Sequence, residues 1–309
     1  SDDGDASENK GQHDNWLLRT DSKGKLLWEK SFGFLGHDHA YNIITTSDGG
    51  LFFNGFLDVT ASNGEGQDGK QYSKSSRHGV GEFWCHKLDI NGNLQWRRYF
   101  GGTSNDRSYD AIETHNGDFV LVGATESQDV DISKPRGSYD FWVIKINATG
   151  DLIWERSIGG SDYDSASSII ETLSGEYLIA GQSYSQDIDV LNPQGSSDIL
   201  LAWISQEGVL RKTKNLGHQG FETVNQLVQR SDGTLLAIGH STSSFISQDQ
   251  ENQLNNDVLL VHTLPNGSEI SSYTLSGEGL NIGESLTTSA DGKIIVVGST
   301  ESTSGDFSN

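Results

Sequence analysis

Residues 140–181 read DFWVIKINATGDLIWERSIGGSDYDSASSIIETLSGEYLIAG, and this phrase decides the fold because the chain repeats it. The same frame returns from residues 14, 82, 198 and 257. A glycine of its first turn recurs at spacings of 68, 58, 58 and 59 residues: Gly24, Gly92, Gly150, Gly208 and Gly267. A second glycine recurs at the same spacings: Gly55, Gly123, Gly181, Gly239 and Gly298. A fixed period of this size without a helical pattern is typical of radially repeated β structure.

Each repeat contains four short runs of β type separated by turn residues. In the third repeat, FWVIKI and LIWERSI alternate apolar and polar residues, as half-buried strands do. The turn between the last two runs is Asp-Gly or Asn-Gly in the other repeats, which predicts tight antiparallel hairpins. Four antiparallel strands in a radial repeat form a β-propeller blade. The sequence therefore predicts an all-β, five-bladed propeller that occupies residues 13–309 as one domain.

The frame begins out of phase with the blades. The chain starts with the last two strands of a repeat (NWLLRT and KLLWEKS) and ends with the first two (ESLTTS and KIIVVGS). We expect these halves to form one closing blade, shared between the N- and C-terminal segments, because closure removes exposed sheet edges.

The string D-x-W-x-x-K-x-(x)3-G-x-L-x-W, followed by GG, an Asp and a G-x-(S/T)-x-S element, resembles the bacterial SBBP-type propeller repeat. The match is clearest at residues 82–127 and 140–185 and weakest in the last two repeats. The resemblance implies a propeller fold and an extracytoplasmic setting. It implies no catalytic residues, since the shared positions are structural.

The first five residues, SDDGD, are similar to the export signal that follows the lipidated cysteine of surface lipoproteins in Bacteroidota. On this interpretation residues 1–12 are a flexible acidic tether, and the protein lies on the outside of the outer membrane, in contact with it only through an N-terminal lipid anchor. The alternative is an ordinary acidic, disordered terminus.

Composition excludes several classes of function. The 309 residues include 21 Lys and Arg against 43 Asp and Glu, a formal net charge of −22, which opposes binding to nucleic acid or to an anionic membrane through a basic patch. The single cysteine, Cys85, lies within a strand and is predicted to be a buried, inert thiol. There is no G-x-S-x-G elbow, phosphate loop, HExxH or paired CxxC motif.

One acidic position precedes the innermost strand of four repeats, five residues after a turn glycine; the fifth repeat has Ile282 at this spacing. We expect these acids at the mouth of the propeller channel, where they would bind a cation, serve as a glycosidase pair or stabilise their own turns. They are Asp38, Asp106, Asp164 and Glu222.

Two further patterns suggest metal binding. The loops 124–139 and 182–197 share SQD-(V/I)-D, and alternate aspartates suit calcium: Asp129, Asp131, Asp187 and Asp189. A solvated polar loop is the alternative. His37 and His39 flank Asp38 and could hold a metal, although successive strand residues point apart.

Loop 57–81 is about ten residues longer than its counterparts and is locally basic in an acidic protein. It is a candidate partner-binding segment, or else a tolerated insertion. Its candidate contact residues are Lys70, Tyr72, Lys74, Arg77 and His78.

These features predict a non-catalytic cell-surface lipoprotein that docks onto an outer-membrane protein complex for uptake, secretion or adhesion. The alternative is a glycan-binding surface protein in which Tyr72, Tyr109 or Tyr163 stacks on a sugar ring. A third possibility is a glycosidase, which rests on fold analogy alone.

Overall fold

The computed structural model of this chain describes residues 4–68, 78–243 and 255–308. These residues form twenty strands and one short 3-10 helix, Gly305–Phe307, so the all-β prediction is confirmed. The strands are β1 Asn15–Thr20, β2 Leu26–Phe32, β3 His39–Thr45, β4 Leu51–Asp58, β5 Gly81–Leu88, β6 Leu94–Phe100, β7 Asp106–Glu113, β8 Phe119–Thr125, β9 Asp140–Ile146, β10 Leu152–Ile158, β11 Asp164–Glu171, β12 Tyr177–Ser183, β13 Asp198–Ile204, β14 Leu210–Leu216, β15 Gly220–Gln229, β16 Leu235–Ser243, β17 Asn256–Thr263, β18 Glu269–Leu275, β19 Asn281–Thr288 and β20 Ile294–Thr300. Within the described ranges no helix is long and apolar enough to cross a membrane.

Sixteen strands form four antiparallel sheets of four, and each sheet follows chain order: β3–β6, β7–β10, β11–β14 and β15–β18. This confirms the predicted four-stranded unit. The first two and the last two strands form separate two-stranded sheets, β1-β2 and β19-β20, so the described residues contain six sheets. Trp16 shows the physical difference. Its side chain is 46% exposed on β1, which pairs with β2 alone, whereas the equivalent Trp84 and Trp142 lie inside complete sheets and are buried.

The chain divides into two compact units, Ser1–Pro135 with Trp142–Ser157 (unit 1) and Arg136–Phe141 with Ile158–Asn309 (unit 2). Unit 1 has an aromatic core that includes Phe52, Phe119 and Trp142. Unit 2 has a largely aliphatic core that contains Trp203. Cys85 is completely buried in the core of unit 1, as predicted, and burial raises the pKa of its thiol.

Both predicted hairpin turns depend on glycine. The five glycines of the first series all have positive φ, between 74° at Gly92 and 81° at Gly24. The pairing register of the β1-β2 hairpin shifts between Arg19 and Thr20, beside this turn, as expected for a turn whose last residue is left-handed. In the second turn Gly49 also has positive φ, whereas Asp48 does not and accepts a hydrogen bond from the Gly50 N–H.

The second glycine series lies opposite a β-bulge. The first strand of the sheet skips one residue in its register in each repeat. The strands are β3, β7, β11, β15 and β19, and the skipped, repeat-equivalent positions are Tyr41, Tyr109, Ser167, Asn225 and Glu284. The facing glycine has no room for a side chain: a Cβ on Gly123 would overlap the carbonyl oxygen of Arg107. The repeated bulge therefore explains why this glycine recurs with the repeat.

Candidate functional site

One edge of the sheets carries a repeated contact between two loops. The residue two positions before β1 forms a parallel bridge with the residue two positions before β3, and the contact recurs in every repeat. The bridged pairs are His13 with His37, Gly81 with Asn105, Tyr139 with Tyr163, Ser197 with Phe221, and Asn256 with Leu280. The backbone contact is the same in every repeat, whereas the side chains differ. The side chains exposed at this edge can therefore change without a change of fold.

The four predicted channel acids lie directly after these bridged residues, and all four are at most 3% exposed. Each accepts a hydrogen bond from the backbone N–H four residues earlier; for Asp106 the donor is Gly102, at 2.8 Å. The carboxylates are therefore turned into their own loops, which is the turn-stabilising alternative that the sequence offered.

The equivalent position in the fifth repeat is Asn281 and not Ile282, which corrects the sequence alignment by one residue. Asn281 pairs with Thr300 in the register in which Asp106 pairs with Thr125. Its side-chain amide donates to the Gly277 carbonyl, so a neutral carboxamide holds the turn that carboxylates hold in the other repeats. The error arose because the turn glycine of this repeat, Gly277, is displaced by one position from its counterparts.

A second acid packs against the first in several repeats. Gly101 shows how near the two lie, because a Cβ there would overlap Glu82 and also contact Asp106. Burial, and secondly the Asp106 charge, raise the pKa of Glu82 well above its ordinary value. Burial also raises the pKa of Asp38 and of Asp140 to about 6. Paired carboxyls with raised pKa values are a glycosidase feature, and here such buried pairs recur with the repeat.

The aspartates of the predicted calcium loops make hydrogen bonds within the protein. Asp129 accepts from the Thr103 N–H and Asp131 from the Gly101 N–H. Asp187 accepts from the Ser161 N–H, and Asp189 forms an ion pair of 3.3 Å with Arg136. These contacts tie each loop to its own unit; calcium binding there stays a prediction.

Four of the five candidate residues of loop 57–81 (Lys70, Tyr72, Lys74 and Arg77) lie outside the described residues. The fifth, His78, is mostly buried against Tyr99, with its Nδ1 3.4 Å from Glu82, and burial lowers its pKa. The start of the loop is packed as well: Val59 is buried, and the Gly66 carbonyl accepts a hydrogen bond from Trp84. Both described ends of the loop are thus part of unit 1.

Three histidines meet at the first bridged pair. One ring nitrogen from each of His13, His37 and His39 lies within 4.8 Å of the others, and in the described part of the chain this is the one such group of three potential metal ligands. Burial, followed by the nearby His13 and His37, lowers the pKa of His39. Sequence reasoning considered His37 and His39 but missed His13. The bridged contact between the two loops brings His13 to them, and the recurring spacing of these two positions was the available signal.

Four aromatic rings form a row at the same edge of unit 2. The centroids of Tyr139 and Tyr163 lie 5.3 Å apart, those of Tyr163 and Tyr184 5.9 Å, and those of Tyr184 and Phe221 6.2 Å. Tyr184 and Phe221 are each 38% exposed, and the other two are half-buried. We name this the aromatic row. Of its members the sequence singled out Tyr163 alone, because the rest come from different repeats.

Tyr109, the other described tyrosine proposed to stack on a sugar, lies in unit 1. It is a bulge residue, and its ring centroid lies 5.2 Å from that of Tyr41, the bulge residue of the preceding repeat. Because β-bulges redirect side chains, the bulges of β3 and β7 bring these rings together.

Comparison with known proteins gives only weak structural similarities. No family model and no curated protein matches the chain. Among solved structures it is similar to a mannose phosphorylase from Leishmania mexicana, solved with phosphate (11% identity, 84% of this chain and 79% of that chain, TM-score 0.45). It is also similar to a protein of unknown function from Bacteroides caccae (12%, 84% and 93%, TM-score 0.30) and to the Pan2 WD40 domain of Neurospora crassa (12%, 83% and 74%, TM-score 0.39).

These scores are too low for any of the three proteins to indicate what this chain binds. The chain is an all-β protein built from repeated four-stranded antiparallel sheets. The resemblance to SBBP-type repeats and to Bacteroidota lipoproteins stays a prediction.

Proposed function

We propose that this protein is a non-catalytic recognition module that docks onto a protein partner through the aromatic row. The observation that carries the proposal is the row itself. Four rings from four different loops or strand ends are successive neighbours along the row, at an edge where the repeat varies its side chains. Tyrosine and phenylalanine are enriched at the centres of protein interfaces, since large rigid rings bury much apolar area at little entropic cost.

The surroundings of the row support this interpretation. Ser138, Ser161 and Asp162 lie beside it in sequence and are exposed, which provides the polar rim typical of a binding patch. Beneath it, the Tyr139 carbonyl accepts the Asp164 N–H and the Tyr163 carbonyl accepts the Tyr184 N–H. The backbone that carries the rings is therefore held by hydrogen bonds, so the binding of a partner would cost little backbone entropy.

For the partner we propose an outer-membrane protein complex, with this chain held at the cell surface by an N-terminal lipid. The acidic SDDGD start and the net charge of −22 support a surface lipoprotein with a basic partner surface. The predicted flexible tether is partly engaged in the structure, because Gln12 donates to the Gly36 carbonyl and Ser7 to Glu29. A tether would therefore be shorter than residues 1–12.

A glycan is the second candidate ligand. A set of neighbouring, half-exposed rings with a polar rim also suits a polysaccharide, whose sugars stack on aromatic faces while their hydroxyl groups bond to neighbouring polar groups. The same variants separate the two ligand classes.

Replacement of Tyr163 or Tyr184 by alanine is expected to weaken partner binding at least about 10-fold, as loss of a central interface aromatic does. The measurement is capture of partners from the organism's own detergent-solubilised outer membranes, identified by mass spectrometry, alongside a glycan array. Tyr273→Ala is the matched control, because Tyr273 is also in unit 2 and exposed but lies on β18 outside the row. Equal capture by wild type and both row variants would refute the row as the binding surface. Loss of array binding alone would identify a glycan ligand.

We further propose that the fold is the five-bladed propeller, with β20 and β1 paired in one closing blade. The support is the repeat register. In the complete sheets, the glycine of the second series pairs with the third residue after the bridged position, as Gly181 pairs with Leu200 and Gly239 with Leu259. Transferred to the terminal strands, this register pairs Val297 with Leu17 and Val296 with Leu18.

In a Cys85→Ala background, cysteines at Val297 and Leu17, or at Val296 and Leu18, are expected to form an intramolecular disulfide in at least one of the two variants. Adjacent antiparallel pairs alternate between a wider and a closer spacing, so one of the two pairs is of the closer kind. Gel mobility under non-reducing conditions and peptide mass mapping give the result. The control joins Val297 to Leu27 of β2, which the register does not place together. Failure of both pairs, or a disulfide between two chains instead, would contradict the closing blade.

A further inference from the structure

The fold does not require the three histidines that form the cluster of unit 1. His13, His37 and His39 occupy three repeat positions whose counterparts in the other repeats are never histidine. Those counterparts are Gly81, Asn105 and Arg107, then Tyr139, Tyr163 and Ser165, then Ser197, Phe221 and Thr223, and finally Asn256, Leu280 and Ile282. Four copies of the same backbone thus form without these imidazoles. The convergence of three histidines at this position is therefore not explained by the fold.

We propose that His13, His37 and His39 bind one divalent transition metal ion, with zinc as the representative, and leave one coordination position open. Zinc accepts imidazole nitrogens at about 2.0–2.1 Å in tetrahedral geometry, which places ligand nitrogens about 3.3 Å apart. The Nδ1 atoms of His13 and His37 lie 3.0 Å apart, close to that spacing. A ring nitrogen of His39 lies within 4.8 Å of theirs, so a small side-chain rotation completes the set.

The backbone holds the three side chains in place. The Gln12 and His13 N–H groups both donate to the Gly36 carbonyl, and the Asp38 N–H donates to the His13 carbonyl. These bonds fasten the loop before β1 to the loop before β3. His39 is further positioned by Tyr41, whose ring is stacked on it at 6.2 Å, and by Phe56 at 6.1 Å. A site with preformed geometry loses little entropy when the metal binds.

The chemistry selects the metal class. Imidazole suits zinc, copper and nickel, whereas calcium and magnesium require oxygen ligands. His13 and His37 are exposed, so an ion can enter from solvent. Three protein ligands leave the fourth tetrahedral position to water or to a donor atom of a bound molecule. The net charge of −22 raises the local concentration of cations around the protein.

The test is a calorimetric titration of metal-free protein, prepared without a histidine tag, with Zn²⁺ as the probe. We expect one tight site per chain, and a Co²⁺-loaded sample with the visible spectrum of a tetrahedral nitrogen site. His13→Tyr and His37→Tyr introduce the residues that the third repeat carries at Tyr139 and Tyr163, so both variants suit the fold. Since even outer-shell changes cost 10- to 100-fold in affinity, each loss of a ligand should cost at least about 100-fold.

His115→Ala is the matched control, because His115 is an exposed histidine elsewhere in unit 1 and its loss should leave the tight site unchanged. His39→Arg, which copies Arg107 of the next repeat, is a third ligand variant. Circular dichroism confirms that each variant is folded. Absence of a tight site in the wild type, or equal zinc affinity in the folded His37→Tyr variant, would overturn the proposal. Displacement of the ion by excess Ca²⁺ would also overturn it, because it would assign the binding to carboxylates.

Discussion

Replacement of Gly123 by alanine is expected to destabilise unit 1 by more than about 3 kcal/mol, the upper range for overpacking in an interior. Gly123 lies in β8, which is flanked by β7 and β9. A Cβ there would overlap the carbonyl oxygen of Arg107, and it would lie 2.8 Å from the carbonyl carbon of Arg107 and 2.9 Å from the Cα of Ser108. All three atoms belong to the backbone of the bulged strand, so no side chain can turn away to relieve the overlap.

The matched control is Gly117→Ala in the hairpin of the same sheet. Gly117 has a φ of +83°, but nothing lies within 4 Å of its Cβ position. Its replacement costs only the left-handed backbone penalty of about 1–2 kcal/mol. The comparison thus separates lack of space from backbone conformation. Urea unfolding followed by circular dichroism measures both variants. If Gly123→Ala is no less stable than Gly117→Ala, the packing explanation of the second glycine series is wrong.

Local features of this fold could be predicted from the sequence, and the contacts between repeats could not. The turn glycines were identified correctly because a turn consists of only four consecutive residues, and its own geometry requires positive φ at the glycine, as at Gly24 and Gly92. The recurrence of Gly123 was recognised, yet its reason was not, because the obstructing atoms lie on another strand at Arg107 and Ser108. The pairing of the terminal strands in one closing blade stays a prediction, since it would be the least local contact in the chain.

The candidate sites follow the same division. Turn-stabilising acids could be suggested from spacing, because Asp106 bonds to Gly102 only four residues away. The histidine cluster and the aromatic row depend on a bridge between loops 24 residues apart, as His13 and His37 are. Sequence reasoning discounted His37 and His39 because neighbouring strand residues point apart. That rule separates only adjacent residues; His37 and His39 are two residues apart, so alternation places both on one face, and their rings lie parallel.

Stability is expected to rise when the pH is lowered from 7.5 to about 5.5. Burial raises the pKa of Asp38 and Asp140 to about 6 from an ordinary 3.8. Between these two values the native state holds more protons than the unfolded chain, so the free energy of unfolding falls as pH increases through this window. Above pH 6 both buried carboxyl groups are ionised in the native state, and the free-energy cost of ionising them there is fully present. This cost is at most about 3 kcal/mol for each group.

Asp38→Asn isolates this effect, because Asn281 shows that the fold accepts a carboxamide at the equivalent position. The variant should be more stable than the wild type at pH 7.5 by about 1–2 kcal/mol, a part of the ionisation penalty. It should lose this advantage near pH 4.5, where Asp38 is protonated in the native protein.

Asp5→Asn removes the same charge from an exposed position, so it controls for the general relief of repulsion in a chain of net charge −22. Thermal melts at several pH values give the comparison. Equal pH slopes for the wild type and Asp38→Asn would show that Asp38 is not the source of the dependence. Acidification below about pH 4 reverses the trend, because the hydrogen bond from Lys87 lowers the pKa of Asp48 in the native state. Asp48 then stays ionised in the native protein while the unfolded chain takes up a proton at this residue, which favours unfolding.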